Sequence, residues 1–138
     1  MRPDRTSIVR LSTNSERCDA RNNIFYVTAA GNTLGITEGT GSLRLQNNCM
    51  KTGWIKAFGT LTGSATDAGG NRTGTSPGFI NEASQDYRLN TTSAAANAGT
   101  YIDSYAATAN APVLEYVRHQ ATVTRKVDSV IDMGAFER

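Results

Sequence analysis

Three aspartates are the residues in this chain best suited to do chemistry. They are Asp67, Asp86 and Asp19. Glycoside cleavage needs two carboxyl groups held roughly 5–9.5 Å apart, one giving a proton and one acting as nucleophile or base. Asp67 and Asp86 are the weak catalytic candidates, because sequence spacing does not set such a distance. His119 is the only histidine. It lacks the second His or Cys cluster that zinc requires, and the base and orienter of a triad. It reads as a surface or tail-packing residue. Asp128 and Asp132 read as structural. Asp67-Ala68-Gly69-Gly70-Asn71 lacks the ligand spacing of a calcium loop, and no phosphate-loop pattern occurs. No metal and no cofactor is expected, and the reading leans away from an enzyme.

Aromatic side chains carry the stronger binding signal. Trp54, Tyr87, Tyr101 and Tyr105, with Tyr116, offer flat apolar faces with a polar edge. Such groups stack on sugars or anchor a partner. The competing reading has Trp54 capping the fold and the tyrosines pinning the tail.

The elements that must hold these residues are strands. Asn22-Asn23 and Asn47-Asn48 recur 25 residues apart (47 − 22) in matching frames, CDARNNIFY and LRLQNNCMK. Every second residue around each pair is apolar apart from the Asn: Cys18, Ala20, Asn22, Ile24 and Tyr26 in one, Leu43, Leu45, Asn47 and Cys49 in the other. Period-2 alternation describes a strand with one buried face, and its recurrence describes a solenoid. Stacked Asn amides hydrogen-bond along such a stack, and Asn tolerates the left-handed backbone of a sharp corner. Asn22 and Asn47 are therefore expected on the inner face. Asn71, 24 residues beyond Asn47, is a third position in a poorer frame.

The same register pairs Cys18 with Leu43 and Ile24 with Cys49. It leaves the cysteines six residues apart along the strand, about 20 Å, too far for a disulfide. Two free, buried thiols are expected. The first strand is read at Ser7–Ser12, with turns at Thr13–Ser15 and Ala30–Asn32. Trp54–Phe58 reads as a short alternating piece, Ser93–Ala98 as a helical turn, and Ala111–Gln120 as a short helix or strand.

Composition supports many short strands. Charged residues are 19% and aromatics 7%, while Gly, Ser, Thr, Asn and Ala abound. The net charge of +2, with no Lys/Arg run interleaved with aromatics, speaks against nucleic-acid binding. No apolar run approaches the ~20 residues of a membrane span. MRPDRTSIVR is charged where a signal peptide turns apolar. A cytosolic protein or a mature or truncated form is the expectation, and the compartment stays open.

Residues 69–138 carry a resemblance. Gly70-Asn71, Pro77-Gly78-Phe79, Asp86-Tyr87-Arg88-Leu89 and Ser93–Gly99 follow one another in order, and the chain closes VIDMGAFER. This resembles the C-terminal portion of right-handed parallel β-helix proteins of the pectate-lyase-like superfamily. Asp132, Gly134, Ala135, Phe136 and Glu137 match the usual ending, with Met133 in place of Ile. The resemblance implies an all-β fold: a short right-handed parallel β-helix of about three coils, with a C-terminal tail packing back on it. Residues 1–17 would form an N-terminal strand or cap, 18–90 the coils and 91–138 the tail. It also implies a secreted or surface setting among proteins that bind or cleave polysaccharides.

An open first coil exposes a sheet edge. Arg2, Arg5 and Arg10 are placed to discourage pairing there, and Ile8, Val9 and Leu11 to plug the core. A second copy of the chain, or coils upstream, would otherwise cover it. Three functions follow: a non-catalytic module that contacts polysaccharide or itself, a small polysaccharide lyase or hydrolase, or a purely structural self-assembling protein.

Overall fold

A computed structural model of the chain describes residues 5–27, 33–118, 120–128 and 130–138. The expected turn at Ala30–Asn32, His119 and Arg2 fall outside them, as does the side chain of Arg5. The protein is all-β with one short helix. In order come β1 (Arg5–Leu11), β2 (Arg17–Arg21), β3 (Ile24–Phe25), β4 (Thr33–Gly39), β5 (Ser42–Gln46), β6 (Cys49–Lys51), β7 (Ser64–Asp67) and β8 (Arg72–Gly74). Then follow β9 (Phe79–Asn81), a 3-10 turn at Glu82–Ser84, β10 (Asp86–Leu89), α1 (Ser104–Asn110), β11 (Leu114–Val117) and β12 (Ala121–Thr124).

The first eight strands pair only in parallel. One sheet has the order β2-β5-β7, a second β3-β6-β8, and a third pairs β1 with β4. Parallel partners need long connections, so each strand meets one from a later passage of the chain. The 25-residue register holds: Cys18 pairs with Leu43, Ala20 with Leu45 and Ile24 with Cys49. The next passage is shorter, with Leu43 beside Ala65 and Cys49 beside Arg72. The expected piece Trp54–Phe58 forms no full strand. It joins β4 through a single parallel bridge, Gly35 to Ile55, and Thr37 N donates to Lys56 O at 2.9 Å. The ring of Phe58 lies so close to Gly35 that a side chain there would collide with it.

Alternation in the strands sets the core. Leu11, Ala20, Leu34, Ile36, Leu43, Leu45 and Met50 form one buried cluster, with Val9, Cys18, Phe25 and Trp54 packed against it. Each full burial of such an aliphatic chain contributes about 1.5–3 kcal/mol. Among Ile8–Leu11 of β1 only alternate residues turn inward. Val9 and Leu11 reach the core, whereas Ile8 is 41% exposed and plugs nothing.

The Asn frames hold a correction. Asn22 and Asn47 have positive φ, 59° and 48°. A left-handed residue turns the chain and breaks the period of two, so the alternation reverses beyond it. Asn22 and Asn47 therefore sit at corners, not on the inner face. The inward amides are Asn23, Asn48 and Asn71. Asn23 Nδ2 donates to Asn48 Oδ1 at 3.1 Å, and Asn48 Nδ2 donates to Asn71 Oδ1 at 3.0 Å. Asn71 thus matches Asn48, 23 residues away (71 − 48), and Gly70 takes the corner. Gly70 has φ +71°, and a side chain there would strike the amide of Asn47 at 2.5 Å.

The same reversal separates the thiols. Both are free. Cys18 lies against the first cluster, but Cys49, like Ile24, faces a second one under the C-terminal segments, with Leu89, Ala95, Ala98 and Met133. Met133 N donates to Ala95 O at 2.9 Å, and Gly134 N donates to Asn22 O at 2.6 Å. Asp132, 1% exposed, accepts the backbone N–H of Asn97 on its carboxylate. Glu137 closes the ending. Its carboxylate accepts Asp132 N at 3.1 Å and forms an ion pair with Arg125 in which both side chains are over nine-tenths buried. Ser93–Ala98 forms turns, and the segment Ala111–Gln120 contributes strand β11, paired antiparallel with β12.

Candidate functional site

The corner residues position a surface trough. Asn22 Nδ2 donates to Thr100 O at 2.7 Å, and Thr100 N returns a bond to Asn22 Oδ1 at 2.7 Å. Asn47 Nδ2 donates to Ala98 O at 2.9 Å. These bonds lay the segment 98–103 across the end of β2. Arg21, at that end, donates to Tyr101 O at 3.3 Å and to Asp103 Oδ2 at 3.3 Å. Asp103 then caps α1, accepting from Tyr105 N at 3.0 Å.

Arg21 also grips Asp19 through two bonds, 2.9 and 2.7 Å. The two residues stand two apart on β2 and so share its outer face. Arg44, directly beside Asp19 in register, adds bonds at 3.1 and 3.2 Å. The hydrogen bond from Arg21, followed by its charge and that of Arg44, holds the Asp19 carboxyl below the ordinary range against the opposing effect of burial. Arg21 is correspondingly raised, chiefly by its bond to Asp19. The result is a fixed row of paired donors and acceptors, Arg44–Asp19–Arg21–Asp103.

Two hollows meet on this row. A groove of about 440 Å³ is lined by Asp19, Arg21, Ile102, Asp103, Tyr105 and Ala106. A cleft of about 610 Å³ shares Arg21 and Ile102 with it and is otherwise mainly apolar. Both volumes fall in the ~300–1,000 Å³ range of small-molecule sites. In the cleft, Tyr87 stands edge-to-face on Phe79, with ring centres 5.2 Å apart. Tyr101 and Tyr105 are 91% and 96% exposed. The fold therefore brings two of the sequence-picked aromatics to one trough, Tyr87 in the cleft and Tyr105 in the groove; Tyr101, beside Ile102 in the chain, lines neither hollow. Trp54 stands apart, half-buried against the first core cluster.

The catalytic candidates are used locally. Asp67 Oδ1 accepts from Gly69 N at 2.8 Å and from Asn71 Nδ2 at 2.6 Å, which fixes the turn that starts β8. Asp86 is bound by Arg88 at 2.6 and 2.8 Å, and that bond lowers its pKa. Neither lines the groove or the cleft. Among the described residues no group of three His, Cys, Asp or Glu side chains is arranged to hold a metal ion, and no helix is long and apolar enough to cross a membrane.

Arg21 is the site residue that sequence reading missed. Its signal was present: Asp19, Arg21 and Arg44 are the polar partners of the apolar frame, and the 25-residue register already put Arg44 beside Asp19. Asp103 carried no signal, because its link to Arg21 spans 82 residues. The chain matches no family model, no curated protein and no solved structure.

Proposed function

We propose that the chain forms stacked coils of a right-handed parallel β-helix related to the pectate-lyase-like superfamily, and that this module binds carbohydrate without cleaving it. The parallel pairing of β2-β5-β7 and β3-β6-β8 and the Asn23–Asn48–Asn71 ladder support the coil reading. The VIDMGAFER ending, tied to the corner at Asn22, supports a tail folded back on the coils.

One observation carries the sugar reading. Tyr105, 96% exposed, lines a groove with a pre-formed ionic row of Asp19, Arg21 and Asp103. A sugar offers an apolar face for the ring and hydroxyls for carboxylate and guanidinium groups, and this groove supplies both. The carboxylates there are held ionised or engaged as caps, which suits hydrogen bonding rather than proton donation.

A glycan array followed by calorimetry tests the reading, with reducing-sugar and unsaturated-uronate assays alongside. Binding without turnover, weakened roughly tenfold by Tyr105→Ala, is the expected result. No binding on the array, or affinity indifferent to Tyr105→Ala, overturns it.

Self-association is the second reading, and sheet order favours it. β1, β2 and β3 are each the end strand of their parallel sheet, so among the described residues one sheet edge stands unpaired on that side. Unpaired parallel edges pair readily with another chain. Light scattering across a hundredfold concentration range tests this, and a monomer throughout rejects it.

A further inference from the structure

The groove and the cleft differ in character yet meet at Arg21 and Ile102. The groove is ionic and aromatic. The accessible cleft walls include Ile24, Phe79, Tyr87, Ile131 and Phe136. Among the described residues lining it, the two guanidinium groups are already engaged: Arg21 by Asp19 and Asp103, Arg125 by Glu137. The rest of that described lining is uncharged, so the cleft is matched to a neutral apolar body. Water in it contacts mostly carbon, and its displacement by an alkyl or aryl group is favourable.

We infer that the ligand is an amphiphile: a saccharide head in the groove at Tyr105, joined to an apolar aglycone that lies in the cleft against Phe79, Tyr87 and Phe136. The inference rests on the sugar reading of the groove and adds the second half of the ligand. Ile102 is the hinge of the site. Its neighbour Tyr101 is held by Arg21, its neighbour Asp103 caps α1, and its own side chain lines both hollows. A ligand shorter than the trough engages one half only.

Calorimetry with butyl, hexyl and octyl glucoside tests this, each below its micelle concentration, with glucose and hexanol as head-only and tail-only controls. Affinity should rise roughly tenfold for each added pair of methylenes. Ala135→Trp changes an exposed residue at the cleft rim and should flatten that series. Tyr105→Ala should weaken all three glucosides by a similar factor. Glucose binding with no chain-length dependence overturns the amphiphile and leaves the sugar reading standing. Chain-length dependence that ignores Tyr105→Ala, or hexanol binding as tightly as hexyl glucoside, overturns both. Melting curves of the two variants that match the parent exclude misfolding as the cause.

Discussion

The side-chain amide of Asn23 donates to Oδ1 of Asn48 at 3.1 Å, across a 25-residue separation. Asn48 is fully buried, and every polar atom of its amide is used. Its Oδ1 also accepts Asn23 N at 3.0 Å, and its Nδ2 donates to Ala20 O at 2.9 Å and Asn71 Oδ1 at 3.0 Å. A satisfied buried amide specifies register, whereas a half-satisfied one is costly.

Asn48→Ala should therefore destabilise the fold by about 2–4 kcal/mol, since it strands Ala20 O and Asn23 N in the interior. Urea denaturation measures it. A loss under 1 kcal/mol would show that the ladder is incidental.

The corner residues should behave differently. Asn22→Gly keeps the positive φ and removes only the bonds to Thr100, so it should cost about 1 kcal/mol. Asn22→Ala adds left-handed strain and should cost about 1 kcal/mol more. The same substitutions should speed proteolysis near residue 100. Equal stability of the Gly and Ala variants contradicts the corner assignment.

Glu137 anchors the ending through Arg125 and the backbone of Asp132. Glu137→Gln leaves the Arg125 charge buried without its partner, so a loss of about 3–5 kcal/mol is expected. Hydrogen exchange should rise at Met133 and Gly134, whose N–H groups tie the tail down. Unchanged exchange there means the latch does not hold the tail.

Asp19 gives a pH dependence. Its folded pKa lies below the ordinary value of 3.8, so it contributes stability that is present above 3.8 and lost as pH falls through the lower folded value. The effect is modest, because the carboxylate is 36% exposed and screened by solvent. Asp19→Asn should remove this part of the acid sensitivity, read as a flatter melting temperature against pH below 4. A profile identical to the parent's rules the contribution out.

The two thiols should react unequally. Burial raises the pKa of both, with Asp19 adding to Cys18 and Arg72 opposing at Cys49. Cys49 is 3% exposed beneath the tail, whereas Cys18 is only half-buried. A thiol reagent at neutral pH should label Cys18 first, and both should react in denaturant. Glu137→Gln should speed Cys49 selectively, by loosening its cover.

The strands around the two Asn pairs, and their 25-residue register, were legible from residue types alone. Period-2 alternation and the repeated Asn pair placed Cys18 beside Leu43 and Ile24 beside Cys49, because parallel stacking puts equivalent positions in contact. β5 covers the frame read as alternating at Leu43 and Leu45, and β1 lies within one or two residues of the expected Ser7–Ser12. Which Asn of each pair faces inward was not legible. That depends on the sign of φ at Asn22 and Asn47, and Asn is one of the few residues that tolerates either. Helix α1 also escaped, since SYAATAN has no buried residue and so no apolar period to betray it.

The trough belongs wholly to the tertiary structure. Arg21 meets Tyr101 and Asp103 across 80 and 82 residues. No local pattern encodes a contact of that separation, because loop closure sets only its entropic cost and not its partner. The corner amides select the partner by holding Ala98 and Thr100 in place. Residue types and their spacing suffice for a parallel all-β scaffold with a 25-residue register. Only the folded tail decided where the tyrosines stand, since a side chain's neighbours across such distances are chosen by packing and hydrogen bonding, not by spacing.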